Sequence, residues 1–303
     1  MKVFVTGVAG QLGHDVMVQL HNCGHSAIGS DLAAEYSGIS DSIVSMLPYV
    51  SMDITDAEQV NRILARYSPD AVIHCAAWTA VDLAEDAENV DKVFAINAGG
   101  TENIAVACRA LDCKMIYIST DYVFDGQGEK PWEPDQQNYA PLNVYGKSKL
   151  AGEQAVARLV DKFFIVRIAW VFGLNGNNFI KTMLRLSEKY DTIRVVNDQF
   201  GTPTYTKDLS RLLVDMAETE KYGYYHATNE GSFISWYDFS CEIFRQTGKS
   251  TSVIPMTTAE YGASKAMRPC NSRLDKDKLI RNGFAPLPDW EDALARYLKE
   301  LGV

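Results

Sequence analysis

The stretch Val3-Phe4-Val5-Thr6-Gly7-Val8-Ala9-Gly10-Gln11-Leu12-Gly13 decides the fold. A strand's length of apolar residues runs straight into glycines spaced Gly-x-x-Gly-x-x-Gly, and Gln11 to Asn22 then reads as a helix. Strand, tight turn and helix together form the context in which a glycine loop binds phosphate. Gly7 permits the turn, Gly10 lets backbone approach a dinucleotide pyrophosphate, and Gly13 lets the helix pack close on the strand. A phosphate there meets free N–H groups and the positive end of the helix dipole. The spacing differs from the Gly-x-Gly-x-x-Gly of many dehydrogenases.

Working outward, apolar runs alternate with helix-length amphipathic stretches. The pattern predicts strands at Val3–Thr6, Ala27–Ser30, Tyr49–Met52, Ala71–Ala77, Lys114–Ser119 and Phe163–Val171. It predicts helices at Gln11–Asn22, Ala57–Tyr67, Val90–Leu111 and Val144–Leu159. Such alternation implies right-handed crossovers and an α/β, Rossmann-type doubly wound parallel sheet. Residues 1–172 are read as this nucleotide-binding domain. After Phe172 short elements punctuated by Pro203, Pro255, Pro269, Pro286 and Pro288 take over. Residues 173–303 are read mainly as a smaller C-terminal substrate-binding lobe, with segments around 195–228 returning to the sheet. Ser235 and Asp289 are expected to cap helices running to Thr247 and Leu301.

The chain has 303 residues, 47% hydrophobic and 22% charged, with a net charge of −10. That charge argues against a nucleic-acid or anionic-membrane partner, both of which need basic surface. No run is long and apolar enough for a transmembrane helix. The start, Met-Lys-Val-Phe-Val-Thr-Gly, is a strand entering a loop and not a signal peptide. Cys23, Cys75, Cys108, Cys113, Cys241 and Cys270 form no Cys-x-x-Cys pair and are read as free thiols of a cytoplasmic protein, with Cys75 and Cys108 as small core hydrophobes. His74 is read as packing in the fourth strand, and no metal site is expected. The acidic run Asp82, Glu85, Asp86 and Glu88 is read as a solvated loop, and Asp15 as an exposed helix residue.

Chemistry-bearing residues fall at strand ends. Asp31, 18 residues beyond Gly13, can hydrogen-bond an adenosine ribose and repel a 2′-phosphate, which leans toward NADH. Asp53 ends the third strand, where it and Ile54 would lie beside adenine. Ala76 and Ala77 are small enough to let backbone lie along a cofactor. Tyr145 and Lys149 are four residues apart and share a helix face. A phenol with a pKa of about 10 is a poor proton exchanger near neutrality, and a nearby ammonium is expected to lower it. Ser119 and Thr120 end the fifth strand, where a hydroxyl could bond a reacting oxygen.

Three strings together, Gly7-x-x-Gly10-x-x-Gly13, Ser119-Thr120-Asp121-Tyr122-Val123-Phe124-Asp125-Gly126 and Tyr145-Gly146-Lys147-Ser148-Lys149-x-x-Gly152-Glu153, resemble the extended short-chain dehydrogenase/reductase superfamily. Ala76-Ala77-Trp78-Thr79-Ala80-Val81-Asp82, Ala169-Trp170-Val171-Phe172-Gly173, Asn177-Asn178-Phe179 and Asn197-Asp198-Gln199-Phe200-Gly201-Thr202-Pro203-Thr204 are similar to strings of its dTDP-4-dehydrorhamnose reductase family, in the same order. The resemblance implies reduction of a nucleotide-linked 4-keto sugar with NADPH or NADH. It implies Tyr145 as proton donor, Lys149 as its modulator, and Thr120, Asp121 and Trp170 at the substrate. It places Gly10, Gln11 and Leu12 around the pyrophosphate and Ala76, Ala77 and Trp78 along the cofactor. Arg268, in Arg268-Pro269-x-Asn271-Ser272, is a candidate for nucleotide phosphate. The protein is expected as a monomer or homodimer.

Two rivals stay open on these residues. A dehydratase or epimerase of the superfamily is one, although dehydratases carry Asp-Glu after the threonine and Tyr122 stands where that glutamate would be. A non-catalytic subunit similar to the methionine adenosyltransferase β subunit is the other, against which the intact Thr120, Tyr145 and Lys149 weigh.

Overall fold

The computed structural model describes residues 1–303. Its central sheet is built from β1 (Lys2–Thr6), β2 (Ser26–Asp31), β3 (Tyr49–Ser51), β4 (Ala71–His74), β5 (Lys114–Thr120), β6 (Phe163–Ile168) and β7 (Gly223–His226). All pairings are parallel, in the order β7-β6-β5-β4-β1-β2-β3. Continuous apolar runs such as Val3-Phe4-Val5 are buried on both faces, as strands covered by helices on either side require. Helices α1 (Gln11–Asn22), α2 (Ala57–Tyr67), α3 (Val90–Phe94), α4 (Thr101–Leu111), α5 (Val144–Leu159) and α6 (Thr206–Ala217) supply that cover. One core joins α1 and α6 to the sheet through Val16, Leu20, Leu209, Leu213 and Ile116. The opposite core joins α2, α4 and α5 through Leu64, Ile104, Val156 and Tyr117. The chain order reverses between β1 and β4, so the carboxyl ends there open a crevice.

Two predicted elements end early. The strand expected to reach Ala77 stops at His74, and the one expected to reach Val171 stops at Ile168. In the second case Trp170 turns into the left-handed region at φ 52°, a conformation that bulky residues rarely adopt. The helix expected across Val90–Leu111 is interrupted by a widened π-type segment, Ala95–Gly100. There Asn97 leaves helical duty for its side chain: its oxygen accepts from Trp78 N at 2.8 Å and its amide donates to Trp78 O and Ser148 Oγ. Such single widened turns occur often at functional sites.

The part of 195–228 that returns to the sheet is narrower than expected. It comprises α6 and β7, whereas the strand Thr192–Val196 pairs with Ser252–Met256 in the lobe. The lobe has its own core, in which Phe172, Tyr205, Phe239 and Tyr297 pack ring against ring. Ser235 caps the helix Trp236–Thr247 in a reciprocal box with Asp238, and Asp289 caps Trp290–Leu301. No helix is long and apolar enough to cross a membrane.

A buried ion pair fastens α5 to β6. Arg167 and Glu153 are both essentially without solvent exposure and meet through Nε–Oε1 at 2.8 Å and Nη2–Oε2 at 2.7 Å. The remaining guanidinium protons reach Pro134 O, Tyr139 Oη and the His226 ring nitrogen, and the rings of Phe124, Tyr139 and Tyr224 enclose it.

Candidate active site

The crevice above the strand ends is a cleft of about 1130 Å³, somewhat above the roughly 300–1,000 Å³ of sites for one drug-sized ligand. Every residue singled out from the sequence lies on its wall: Gly7, Gly10, Gln11, Leu12, Gly13, Asp31, Asp53, Ile54, Ala76, Ala77 and Trp78 along one half, and Thr120, Asp121, Tyr145, Lys149 and Trp170 along the other.

The glycine loop is shaped by close approach. Gly7 has φ +73°, and a Cβ on it would lie 2.6 Å from Ala76 N; a Cβ on Gly13 would lie 2.2 Å from Gly7 O. Position 10 meets only Gly7 O at 3.2 Å and is otherwise open, so its small size serves whatever occupies the cleft. Gly10 caps α1 without a side-chain bond. The N–H groups of Gln11, Leu12 and Gly13 have no partner within the protein, which is the arrangement that takes an anion. Asp31 faces the same loop. Its Oδ2 accepts from Ala9 N at 3.0 Å and its Oδ1 from Leu32 N at 2.8 Å, so the carboxylate is fixed at the cleft's rim.

The other half is organised by β5 and α5. Thr120 Oγ1 donates to Asp121 Oδ1 at 3.0 Å and accepts from Tyr122 N at 3.2 Å. Asn143 caps α5 through Gly146 N, and Glu85 Oε1 accepts from Val144 N at 2.7 Å, which fixes the first turn carrying Tyr145. Lys149 Nζ donates to Ile118 O at 2.7 Å and sits 4.1 Å above the Tyr117 ring. Burial pushes its pKa down to about 7, against the pull of Glu153 and Cys75.

One electrostatic expectation is overturned. The Tyr145 phenol is driven well above its ordinary value, first by burial and then by Asp121, with the Thr120 hydroxyl as a partial offset. Lys149 is not among the groups that offset this rise; its ammonium donates to the Ile118 carbonyl instead. A phenol that stays protonated through neutrality is suited to giving a proton.

Asp121 is buried, its Oδ2 has no hydrogen-bond partner, and burial raises its pKa to about 6. Because the folded value lies above the ordinary 3.8, the folded state binds the extra proton. Stability from this group is full below about 4 and is lost as pH rises through about 6. Asp121→Asn is therefore expected to stabilise the ligand-free protein on the order of 1–3 kcal/mol at pH 8 and far less at pH 4. Urea titrations at the two pH values check this, and an equal change at both would contradict it.

Other readings need correction. Asp15 is not exposed: it is buried between α1 and α6, accepting from the Thr206 hydroxyl and from His14. Cys75 is half-buried: it packs against the first core as expected and also lines the cleft wall, with burial raising its thiol to about 12. Cys108 is fully buried, as expected of a small hydrophobe. The acidic run is only partly a solvated loop, since Asp82 accepts from Arg268, Ser264 and Ala266 N. Arg268 faces the cleft and also reaches Tyr122 Oη at 3.3 Å. The sequence marked Tyr122 only as the residue in place of a dehydratase glutamate, not as a neighbour that stands edge-on to Tyr145, and it did not mark Trp236, stacked on Trp170 with centroids 3.7 Å apart. The adjacency of Tyr122 to Thr120 was a usable signal; nothing in the sequence marks Trp236.

A doubly wound sheet, an open glycine-loop helix terminus and a Tyr-x-x-x-Lys helix in one cleft are the features expected of an extended short-chain dehydrogenase/reductase. The family model of the RmlD substrate binding domain matches residues 1–303. A dTDP-4-dehydrorhamnose reductase from Streptomyces griseus is 38% identical over 296 residues, 96% of this chain and 90% of that one. The crystal structure of a dTDP-4-dehydrorhamnose reductase from Clostridium acetobutylicum superposes with a TM-score of 0.89 at 38% identity, covering 100% of both chains. That of the Bacillus anthracis dTDP-4-dehydrorhamnose reductase in complex with NADP superposes at 0.88 with 39% identity, covering 99% of each. The chain belongs to the dTDP-4-dehydrorhamnose reductase family.

Proposed function

We propose that this protein reduces the 4-keto group of dTDP-4-dehydro-β-L-rhamnose, giving dTDP-β-L-rhamnose, with NADPH or NADH. The observation that carries the reading is the single cleft. It joins a bare helix N-terminus, fit for a pyrophosphate, to a protonated phenol beside a threonine hydroxyl and a lysine. Bound reduced nicotinamide supplies the hydride. Gln11 and Leu12 N–H would hold its diphosphate, Asp31 the adenosine ribose, Asp53 and Ile54 the adenine side, and Ala76, Ala77 and Trp78 would lie along its length. Thr120 orients the sugar carbonyl, and Tyr145 delivers a proton from its phenolic oxygen as negative charge develops there. Lys149, held by Ile118 O, would reach the nicotinamide ribose. Asp121 and Trp170 border the sugar. A dehydratase would need an acid where Tyr122 stands, and the Tyr122 hydroxyl is held by Arg268.

The test couples dTDP-glucose to an upstream dehydratase and epimerase, adds this protein with each reduced nicotinamide, and follows absorbance. Oxidation of the cofactor with formation of the 6-deoxy sugar nucleotide supports the proposal; no oxidation with either cofactor rejects it. The fixed carboxylate of Asp31 leads to a second expectation. NADH should serve at least as well as NADPH, and Asp31→Ser should shift the kcat/KM ratio toward NADPH about tenfold or more, by removing a charge that opposes a 2′-phosphate. A wild-type enzyme with a large NADPH preference would contradict this.

A further inference from the structure

We infer that Asn175 is a positioning residue that fixes the glycine loop from the substrate lobe, and so links cofactor binding to nucleotide-sugar binding. This rests on the proposed placement of the cofactor diphosphate at that loop.

Three of the loop's polar groups are committed within the nucleotide-binding domain: Ala9 N–H to Asp31, Gly10 N–H to Gly7 O, and Gly10 C=O to His14 N–H. The carbonyl of Ala9 has no partner there. It is taken by the side-chain amide of Asn175, which donates to Ala9 O at 2.8 Å and leans toward Gly10 O at 3.4 Å. Asn175 is only 8% exposed, so this bond is made away from bulk water. Holding that carbonyl on the lobe side sets the rotation of the next peptide units, and with it the direction of the unpartnered Gln11 and Leu12 N–H groups.

Asn175 sits on a short segment tied together by its own hydrogen bonds. Lys181 Nζ clamps the segment by donating to Leu174 O at 2.5 Å and Gly176 O at 2.7 Å. Asn178 closes it, donating to Gln11 Oε1 at 3.1 Å and to Gly173 O at 2.9 Å. The same segment presents Asn177 to the cleft, just ahead of Phe179, which packs on Trp236. One face therefore holds the phosphate loop while the other borders the region next to Trp170. A ligand that orders either face orders the segment, and the coupling acts in both directions.

Calorimetric titration of NADH and NADPH, each with and without saturating dTDP, tests the assignment. In the wild type, dTDP is expected to tighten cofactor binding. Asn175→Ala leaves the Ala9 carbonyl orphaned and is expected to weaken the cofactor about tenfold and to bring the effect of dTDP close to none. The ligand-free variant should melt a few degrees lower, because a buried acceptor loses its donor; loss of the dTDP effect is the readout that a merely structural role would not produce. Asn175→Asp, of the same size but with an acceptor facing a carbonyl, should bind more weakly than the alanine variant. Asn175→Ser serves if the alanine variant fails to fold. Unchanged affinity in the variants, a wild type without coupling, or a lowered melting temperature with intact coupling would each overturn the inference. A wild-type protein that binds neither nicotinamide would instead overturn the functional proposal on which it stands.

Discussion

Tyr145→Phe is expected to lower turnover about 10²- to 10⁴-fold while leaving NADH and NADPH affinity nearly unchanged. The substitution deletes one oxygen and keeps the ring that stands edge-on to Tyr122. The wall of the cleft therefore survives, and what is lost is the proton donor to the sugar oxygen. Because burial and Asp121 keep the wild-type phenol protonated well beyond neutrality, the wild-type rate should not fall through loss of that proton between pH 6 and 9. Steady-state kinetics and cofactor titration read the two effects separately. A phenylalanine variant with wild-type turnover would remove Tyr145 from the chemistry; one that no longer binds cofactor would make its role structural.

The second large effect concerns stability. Arg167→Met leaves the Glu153 carboxylate buried without its bidentate partner, and removal of one member of such a pair costs about 3–5 kcal/mol. The same change combined with Glu153→Leu removes both charges and should recover much of that loss, since well-packed apolar replacements of buried pairs are often close to neutral. Urea unfolding of wild type, single and double variants measures the difference. Equal loss in single and double variants would show that the rings of Phe124, Tyr139 and Tyr224 need the guanidinium plane more than Glu153 needs its charge.

The strand–loop–helix around Gly7 and Gly13 was legible because its requirements are local: a turn with positive φ and a helix that cannot tolerate a Cβ. The same holds for α1, α2 and α5, whose expected bounds match the observed ones, and for the Ser235 and Asp289 caps. What escaped was set by distant partners. Nothing near Asn97 in the sequence announces that Trp78 and Ser148 will draw its side chain away and widen a helical turn. Trp170 reads as the tail of a strand until Trp236, far along the chain, is stacked upon it. The spacing of Tyr145 and Lys149 gave their shared face but not their electrostatics, which depend on the Ile118 carbonyl and on how completely both are covered.

The late return of α6 and β7 means that the two halves cannot be traded as cassettes. A fragment cut after Phe172 would lose the outermost strand beside β6 and uncover Val16 and Leu20, against which Leu209 and Leu213 rest. Chimeras that graft a new sugar specificity onto this scaffold must leave residues 206–226 with the amino-terminal part, and heating should melt both portions in one cooperative transition.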